Sequence, residues 1–187
     1  MVRHTNNSPK ALAACGIYWL VKPVPLPGIE SAEGEVTMTI NPSNAYELAL
    51  QETKKHGPDW RKISDLLEHA HSDGDKRATY ALATWHLAGE HGYPKNLKNA
   101  NNLLKIAAKA NIASAHFDLA VSYETGQGIK KSEVLAFRHY VAAALSGDNQ
   151  AFLEVGRCLY YGIGVNRDTK LAKIWLDKAD SLGVDVR

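Results

Sequence analysis

The stretch AFLEVGRCLYYGIGVNRDTKLAKIWLDKADSLG at residues 151–183 decides the fold, because residues 115–147 repeat it as AHFDLAVSYETGQGIKKSEVLAFRHYVAAALSG. Ala115, Gly126, Gly128, Ser132, Ala136 and Gly147 fall on Ala151, Gly162, Gly164, Asp168, Ala172 and Gly183 at a constant offset of 36 residues. A third copy starts at Ala78, offset by 37 and with one extra residue in its loop. A fixed period of this length marks a solenoid of stacked supersecondary units, none of which can bury its apolar face alone.

Each position class in the unit has a physical job. Ala78, Ala115 and Ala151, with Ala83, Ala120 and Gly156, let two helices approach closely, and Leu82, Leu119 and Val155 supply the apolar contact between them. Gly126-Gln127-Gly128 and Gly162-Ile163-Gly164 end the first helix, since glycine tolerates the left-handed conformation of a tight helix exit. Asp59, Asn96, Ser132 and Asp168 share one phase, and all are N-cap types, each worth about 1 kcal/mol to the helix that follows. The second helices carry Leu103/Leu104, His139/Tyr140 and Trp175/Leu176, then small pairs such as Ala107-Ala108 and Ala143-Ala144 on which the next unit can pack.

Upstream the pattern degenerates but keeps its phase: Ile63, Leu67, Ala70 and Gly74 occupy the places of Ala136, Tyr140, Ala143 and Gly147. The reading is an all-α solenoid of eight helices in four antiparallel pairs. The pairs are predicted over 44–56 and 59–72, 77–88 and 97–109, 114–125 and 133–145, and 150–161 and 169–181. The organisation is then a segment at 1–43, a degenerate first pair at 44–75, and repeats at 76–112, 113–149 and 150–184. Lys170, Lys173, Asp177, Lys178 and Asp180 make the last helix polar on its outer surface, as a natural end of the stack requires.

The N-terminal segment reads differently. Residues 11–21 form an uncharged apolar run between Lys10 and Lys22, with the basic flank and length of a signal-peptide core. The run falls short of the roughly 20 apolar residues that span a bilayer, so no transmembrane span is expected. Against export stands a poor cleavage signal, with Glu30 where a small residue is wanted before Ser31-Ala32. Leu12-Ala13-Ala14-Cys15 has the form of a bacterial lipobox, but almost no apolar stretch precedes it. A buried strand or helix accounts for the run equally well. If it acts as a signal, the protein belongs to the cell envelope, the periplasm or the exterior; otherwise it belongs to the cytoplasm. Pro23, Pro25, Pro27 and Gly28 mark a linker over 22–28, and the alternation of residues 35–40 marks a short strand.

Composition removes several function classes. The formal charge is +2, and Lys54-Lys55 and Lys130-Lys131 are only pairs, so the basic stripe of a nucleic-acid binder is missing. Two cysteines, Cys15 and Cys158, make neither a disulfide framework nor a metal-ligand spacing. There is no phosphate-binding loop, nucleotide fingerprint, nucleophile elbow or zinc-protease motif, and no cofactor is expected. Of the eight histidines, His69 and His71 are two apart and point to different sides of a helix. His86 and His91 straddle a loop, His139 sits at a core position and His116 beside one. They read as satisfied or solvated side chains and not as metal ligands. Cys158, on a helix with only Arg157 as a basic neighbour, reads as a structural thiol.

The candidate site lies off the core phase. Counting each first helix from its starting alanine as zero, positions 0, 1, 4, 5 and 8 face inward, and positions 3, 6, 7 and 10 form the opposite stripe. That stripe holds Ala81, Thr84, Trp85 and Ala88; Asp118, Val121, Ser122 and Thr125; and Glu154, Arg157, Cys158 and Tyr161, with Arg77 just ahead of it. Exposed aromatics beside both charge signs are the residue mix of a protein-binding hot spot. Arg77, Trp85, Asp118, Glu154, Arg157 and Tyr161 are therefore the candidate partner-binding residues. The plainer alternative is that Glu154 and Arg157 simply pair along their helix while Trp85 covers the N-terminal segment.

The pattern resembles the Sel-one-like repeat family, a branch of the tetratricopeptide-like helical repeats. The residues that carry it are Ala151, Val155-Gly156, Leu159, Gly162-Ile163-Gly164-Val165, Asp168, Ala172, Trp175, Ala179 and Gly183. The middle copy adds Ala115, Leu119, Tyr123, Gly126-Gln127-Gly128-Ile129, Ala136, Ala143-Ala144 and Gly147. The copy from Ala78 departs from it with Gly89-Glu90-His91-Gly92-Tyr93-Pro94 in its loop. The resemblance implies a right-handed superhelix whose first helices line a concave face, and an adaptor that holds a protein or peptide partner, often in bacterial envelopes. The expectation is a non-enzymatic module, monomeric or weakly dimeric. One sub-branch is associated with β-lactam handling or cell-wall hydrolysis and carries a disulfide in each repeat, where this chain offers only Cys158. For that enzymatic alternative Asp118, Glu154 and Cys158 are the only candidate groups.

Overall fold

The computed structural model of the protein describes residues 44–185. The apolar run at 11–21, Cys15, the proline-rich linker, the strand expected at 35–40 and residues 41–43 lie outside the described residues. The described residues form eight α-helices and no strand: α1 (Ala45–Thr53), α2 (Trp60–Ser72), α3 (Lys76–Ala88), α4 (Leu97–Ala108), α5 (Ala113–Thr125), α6 (Glu133–Leu145), α7 (Asn149–Tyr161) and α8 (Thr169–Ser181). Helices pack within the pairs α1–α2, α3–α4, α5–α6 and α7–α8, and each pair joins the next through its second helix. This is the nearest-neighbour architecture of a repeat protein. Seven helices match the sequence reading to within one residue at each end; α1 is shorter than expected.

The position classes explain the packing. Ala78, Ala115 and Ala151 are fully buried, as are Ala83, Ala120, Leu82, Leu119 and Val155. A Cβ on Gly156 would stand 2.6 Å from Cδ2 of Leu176, so α7 and α8 touch where the other pairs have room for alanine. Asp59, Asn96, Ser132 and Asp168 all accept backbone N–H bonds as N-caps. Asp75 and Asp148 do the same for α3 and α7, while Ile112 occupies that place before α5 and packs into the apolar cluster around Leu104 and Leu119 instead. Gly89, Gly126 and Gly162 close the first helices in the left-handed conformation. Each loop is then tied back by one backbone bond: Asn96 N–H to His86 O, Ser132 N–H to Tyr123 O, and Asp168 N–H to Leu159 O.

The second glycine of each loop has a separate role. Gly128 lies against the start of α4, where a Cβ would stand 2.5 Å from Leu97 Cβ, and Gly164 lies against the Glu133 carbonyl at the start of α6. These glycines therefore set the distance between successive units. After α3 the same place is held by His91, at φ 53°, whose ring stacks on Trp60 at 3.7 Å. An imidazole on an indole fills the gap that bare backbone contact closes in the later units.

Asn101 reinforces one of these junctions. Its side chain, 1% exposed, donates from Nδ2 to Leu97 O and to Gln127 O, both at 2.8 Å, and so pins the loop after α5 to α4. Replacing Asn101 with Ala leaves the Gln127 carbonyl without this donor and costs about 2 kcal/mol, read from the midpoint of urea unfolding. The outward side of α8 carries Lys173, Asp177 and Asp180 where α6 carries Phe137, Val141 and Ala144, and Lys173 pairs with Asp177 at 2.7 Å. That side is stable in contact with water. No helix among the described residues is long and apolar enough to cross a membrane.

Candidate functional site

A first helix in this stack has four sides. One faces its own second helix, two face the neighbouring pairs, and one faces solvent. The stripe expected from the sequence divides along that line. Position 7 turns to the preceding pair: Trp85, Ser122 and Cys158 are all buried. Trp85 is 2% exposed and sits in the apolar cluster of α1 and α2 with Ala45, Ala49, Ile63 and Leu67. Its ring meets His91 at 4.7 Å, Tyr93 at 5.4 Å and the edge of Trp60 at 6.4 Å. The expected exposed anchor is thus a core residue. α1 has 9 residues where later first helices have 13, and Trp85 packs against it and α2. In the later units Ser122 and Cys158 suffice.

Asp118, at position 3, is also withdrawn from solvent. The Tyr80 hydroxyl donates to its Oδ2 at 3.0 Å from α3. Burial pushes the Asp118 carboxyl up to about 7, and the charge of Asp148 at the start of α7 acts in the same direction against the Tyr80 bond. Burial raises Asp148 as well. This carboxyl pair joins α3, α5 and the α7 cap and does not open outward as a docking group.

Arg157, Glu154 and Tyr161 remain accessible. Arg157 donates from Nε to Glu154 at 2.7 Å and from its terminal nitrogen to Glu124 at 2.8 and 2.9 Å, while the Tyr140 hydroxyl donates to Glu124 at 2.8 Å. Burial disfavours the guanidinium charge, and the two carboxylates more than offset it, so Arg157 stays charged throughout the accessible pH range. The pairing of Glu154 with Arg157 along α7 is what the plainer sequence reading expected; Glu124 and Tyr140, reaching across from the preceding pair, were not foreseen. One turn further, Tyr161 is 69% exposed, and its ring meets that of Tyr160 edge-on at 4.9 Å. On α5 the matching positions are half-buried Val121 and exposed Thr125. Arg77 is exposed at the other end, where it bonds Asp75 and Glu47 and lies 4.3 Å over the Tyr46 ring, tying α3 to α1.

Cys158, Asp118 and Glu154, the three groups named for the enzymatic alternative, are each engaged within the stack. Cys158 is buried, and burial pushes its thiol up to about 11, so it carries no thiolate at neutral pH. Asp118 is committed to Tyr80 and Glu154 to Arg157.

A protein-family model described as "Sel1 repeat" matches residues 76–112, 113–148 and 153–184. The chain belongs to the Sel1 repeat family. The match begins at α3, so α1 and α2 are the pair that departs most from the repeat. Among solved structures, this Sel1 repeat chain is similar to c5321, described as a protective antigen present in uropathogenic Escherichia coli strains displaying an SLR fold. The TM-score is 0.71 at 26% identity, over 76% of this chain and 31% of that one. It is also similar to a Sel1 repeat protein from Oxalobacter formigenes, with a TM-score of 0.60 at 31% identity over 64% of this chain and 90% of that one. The chain thus spans about a third of the length of the first of these relatives. No curated protein matches it.

Proposed function

We propose that this Sel1 repeat chain is a non-enzymatic interaction module that binds a protein or peptide partner on the solvent side of its first helices. The family generally supplies protein-interaction modules. The observation that carries the reading is the juxtaposition of Arg157 and Tyr161 on α7 with Val121 and Thr125 on α5. These are the same two positions of successive units: Thr125 and Tyr161 are exposed, Arg157 is half-buried, and Val121 packs partly against the cluster of Ala120, Tyr140 and Val155. A half-buried arginine already held in place by two carboxylates, next to an exposed tyrosine, is a preorganised anchor: little side-chain freedom is lost when a partner covers it. Glu154 belongs to this surface through its pair with Arg157, whereas Arg77 lies at the α1–α3 end of the stack and Trp85 and Asp118 are buried.

Affinity capture from native lysate compares the unmodified chain with Tyr161→Ala, Arg157→Glu and, on the opposite face, Lys105→Glu. The first two variants weaken capture at least about tenfold, as loss of a hot-spot side chain does, and Lys105→Glu leaves it unchanged. Capture indifferent to Tyr161 and Arg157 contradicts the reading.

A further inference from the structure

The four loops that join a first helix to its own second helix lie along one edge of the stack. Each of the last three touches the start of the preceding second helix: His91 stacks on Trp60, Gly128 lies against Leu97, and Gly164 lies against Glu133. That edge is basic. Residues 52–62, 89–98, 126–133 and 162–170 hold ten Lys and Arg, all exposed, against five Asp and Glu. The opposite edge, residues 72–77, 109–112, 146–148 and 180–185, holds three against five. On the basic edge Glu52 pairs with Lys55 and Lys62, Glu133 pairs with Lys131, and Asp59 and Asp168 turn to the N–H groups of α2 and α8. Among the described residues Lys54, Lys95, Lys98 and Lys130 form no ion pair. Lysine pairs that stand apart in the sequence thus become parts of one edge.

We propose that this edge docks the protein on the surface of an anionic lipid bilayer. Its lysines and arginines lie among the headgroups, and the apolar side chains of the same edge enter the boundary between headgroups and acyl chains. Trp60, Val134 and Leu171, in the first turns of α2, α6 and α8, are all exposed, and so is Tyr160 near the end of α7. Arg167 lies 5.7 Å over the Tyr160 ring, so one cation and one aromatic already share a position there.

Each basic side chain near an anionic bilayer strengthens binding about fivefold. Trp and Tyr favour the interface because one end of the ring is apolar and the other polar. Val134, at 50% exposed, and Leu171, at 40%, decide between anionic partners. They gain nothing from the phosphate backbone of a nucleic acid, whereas a bilayer surface removes them from water. Helices pack about 8–10 Å apart, so four units spread the edge over roughly 30 Å, which suits a plane better than a small anion. No described helix is long and apolar enough to cross a membrane, so the contact is peripheral. The edge shares no residue with the Arg157–Tyr161 surface.

The test sediments the full chain with vesicles of phosphatidylcholine containing about a quarter phosphatidylserine, and with vesicles of phosphatidylcholine alone. The expected result is binding to the anionic vesicles only, falling as salt rises from about 0.05 to about 0.5 M. Lys54→Glu combined with Lys130→Glu weakens it at least about tenfold. Val134→Ser combined with Leu171→Ser weakens it at least about threefold. Lys105→Glu combined with Lys109→Glu changes the net charge equally but lies away from the edge, and weakens it far less. Circular dichroism checks that each variant folds. Should the Val134 and Leu171 variant fail to fold, tryptophan emission decides: binding shifts it to the blue in the parent chain and not in Trp60→Phe. Equal binding to both vesicles, equal loss in the Lys105 and Lys109 variant, or binding unchanged in the Lys54 and Lys130 variant overturns the proposal. Binding indifferent to Val134 and Leu171, a blue shift that persists in Trp60→Phe, or a mixed-sequence DNA duplex held more tightly than the anionic vesicles overturns it as well, the last by assigning the edge to nucleic acid.

Discussion

Gly164→Ala lowers the stability of the protein by about 3 kcal/mol or more. Two costs add. At φ 67° the residue is in the left-handed region, where a side chain costs about 1–2 kcal/mol. The new Cβ also overlaps the Glu133 carbonyl and stands 2.8 Å from Val134 N, both of them backbone atoms at the start of α6 that cannot step aside as a side-chain end would. Relief requires α7 and its loop to move away from α6, which loosens the apolar cluster of Ala136, Tyr140, Val155 and Cys158 across that junction. Gly92→Ala is the matched control. Its φ is 87° and nothing lies within 4 Å of the added Cβ, so only the backbone cost of about 1–2 kcal/mol applies. Urea unfolding followed by circular dichroism separates them. Equal losses in the two variants would show that the second glycine serves only its own backbone and not the spacing of units.

Asp118→Asn stabilises the protein at pH 8 by on the order of 3 kcal/mol and removes the contribution of this carboxyl to the pH dependence between about 4 and 7. The sign follows from linkage. The folded carboxyl titrates near 7 and an unfolded one near 3.8, so between those values the native state holds the extra proton. Stability therefore falls as pH rises through this window, and above 7 the ionised, buried carboxylate imposes its full penalty. The groups that face it are the Tyr80 hydroxyl from α3 and the Asp148 carboxylate at the start of α7. An amide keeps an acceptor for Tyr80 and presents a donor toward Asp148 in place of a like charge. Thermal unfolding of both proteins at pH 5 and pH 8 reads the effect as a difference: the advantage of the variant over the parent chain grows from pH 5 to pH 8. A variant less stable than the parent at pH 8 would mean that the Tyr80 bond outweighs the burial of charge.

The fold was legible because a period averages over many residues. Ala78, Ala115 and Ala151, or Gly126 and Gly162, needed only to recur at one spacing for their shared role to show. The surface was not legible in the same way. A wheel with an inward and an outward half assigns position 7 to solvent and so makes Trp85 an anchor, whereas in a stack that position faces the preceding pair. Position 3 fails similarly at Asp118, which is buried among Tyr80 and the α7 cap. Glu124 escaped notice because its partner Arg157 belongs to the next unit, and a contact between units leaves no mark in the residues beside either one. The caps Asp75 and Asp148 do share a phase, but Ile112 breaks the series between them. His139 reads as a core position but is half-buried, and nothing in a count of spacings brings its Nδ1 within 3.0 Å of that of His116 from the neighbouring helix.

Photo-crosslinking residue by residue tests the central claim, that recognition belongs to the open side of the first helices. Crosslinkers are placed at residues 125, 157 and 161 on that side, at 85 in the core and at 105 on the far face, and the captured species are compared after identical irradiation of native lysate. The account predicts one common partner captured from 125, 157 and 161, and none from 85 or 105. Equal capture from 105, or capture only through residues 1–43, would contradict it and make the helical stack a spacer.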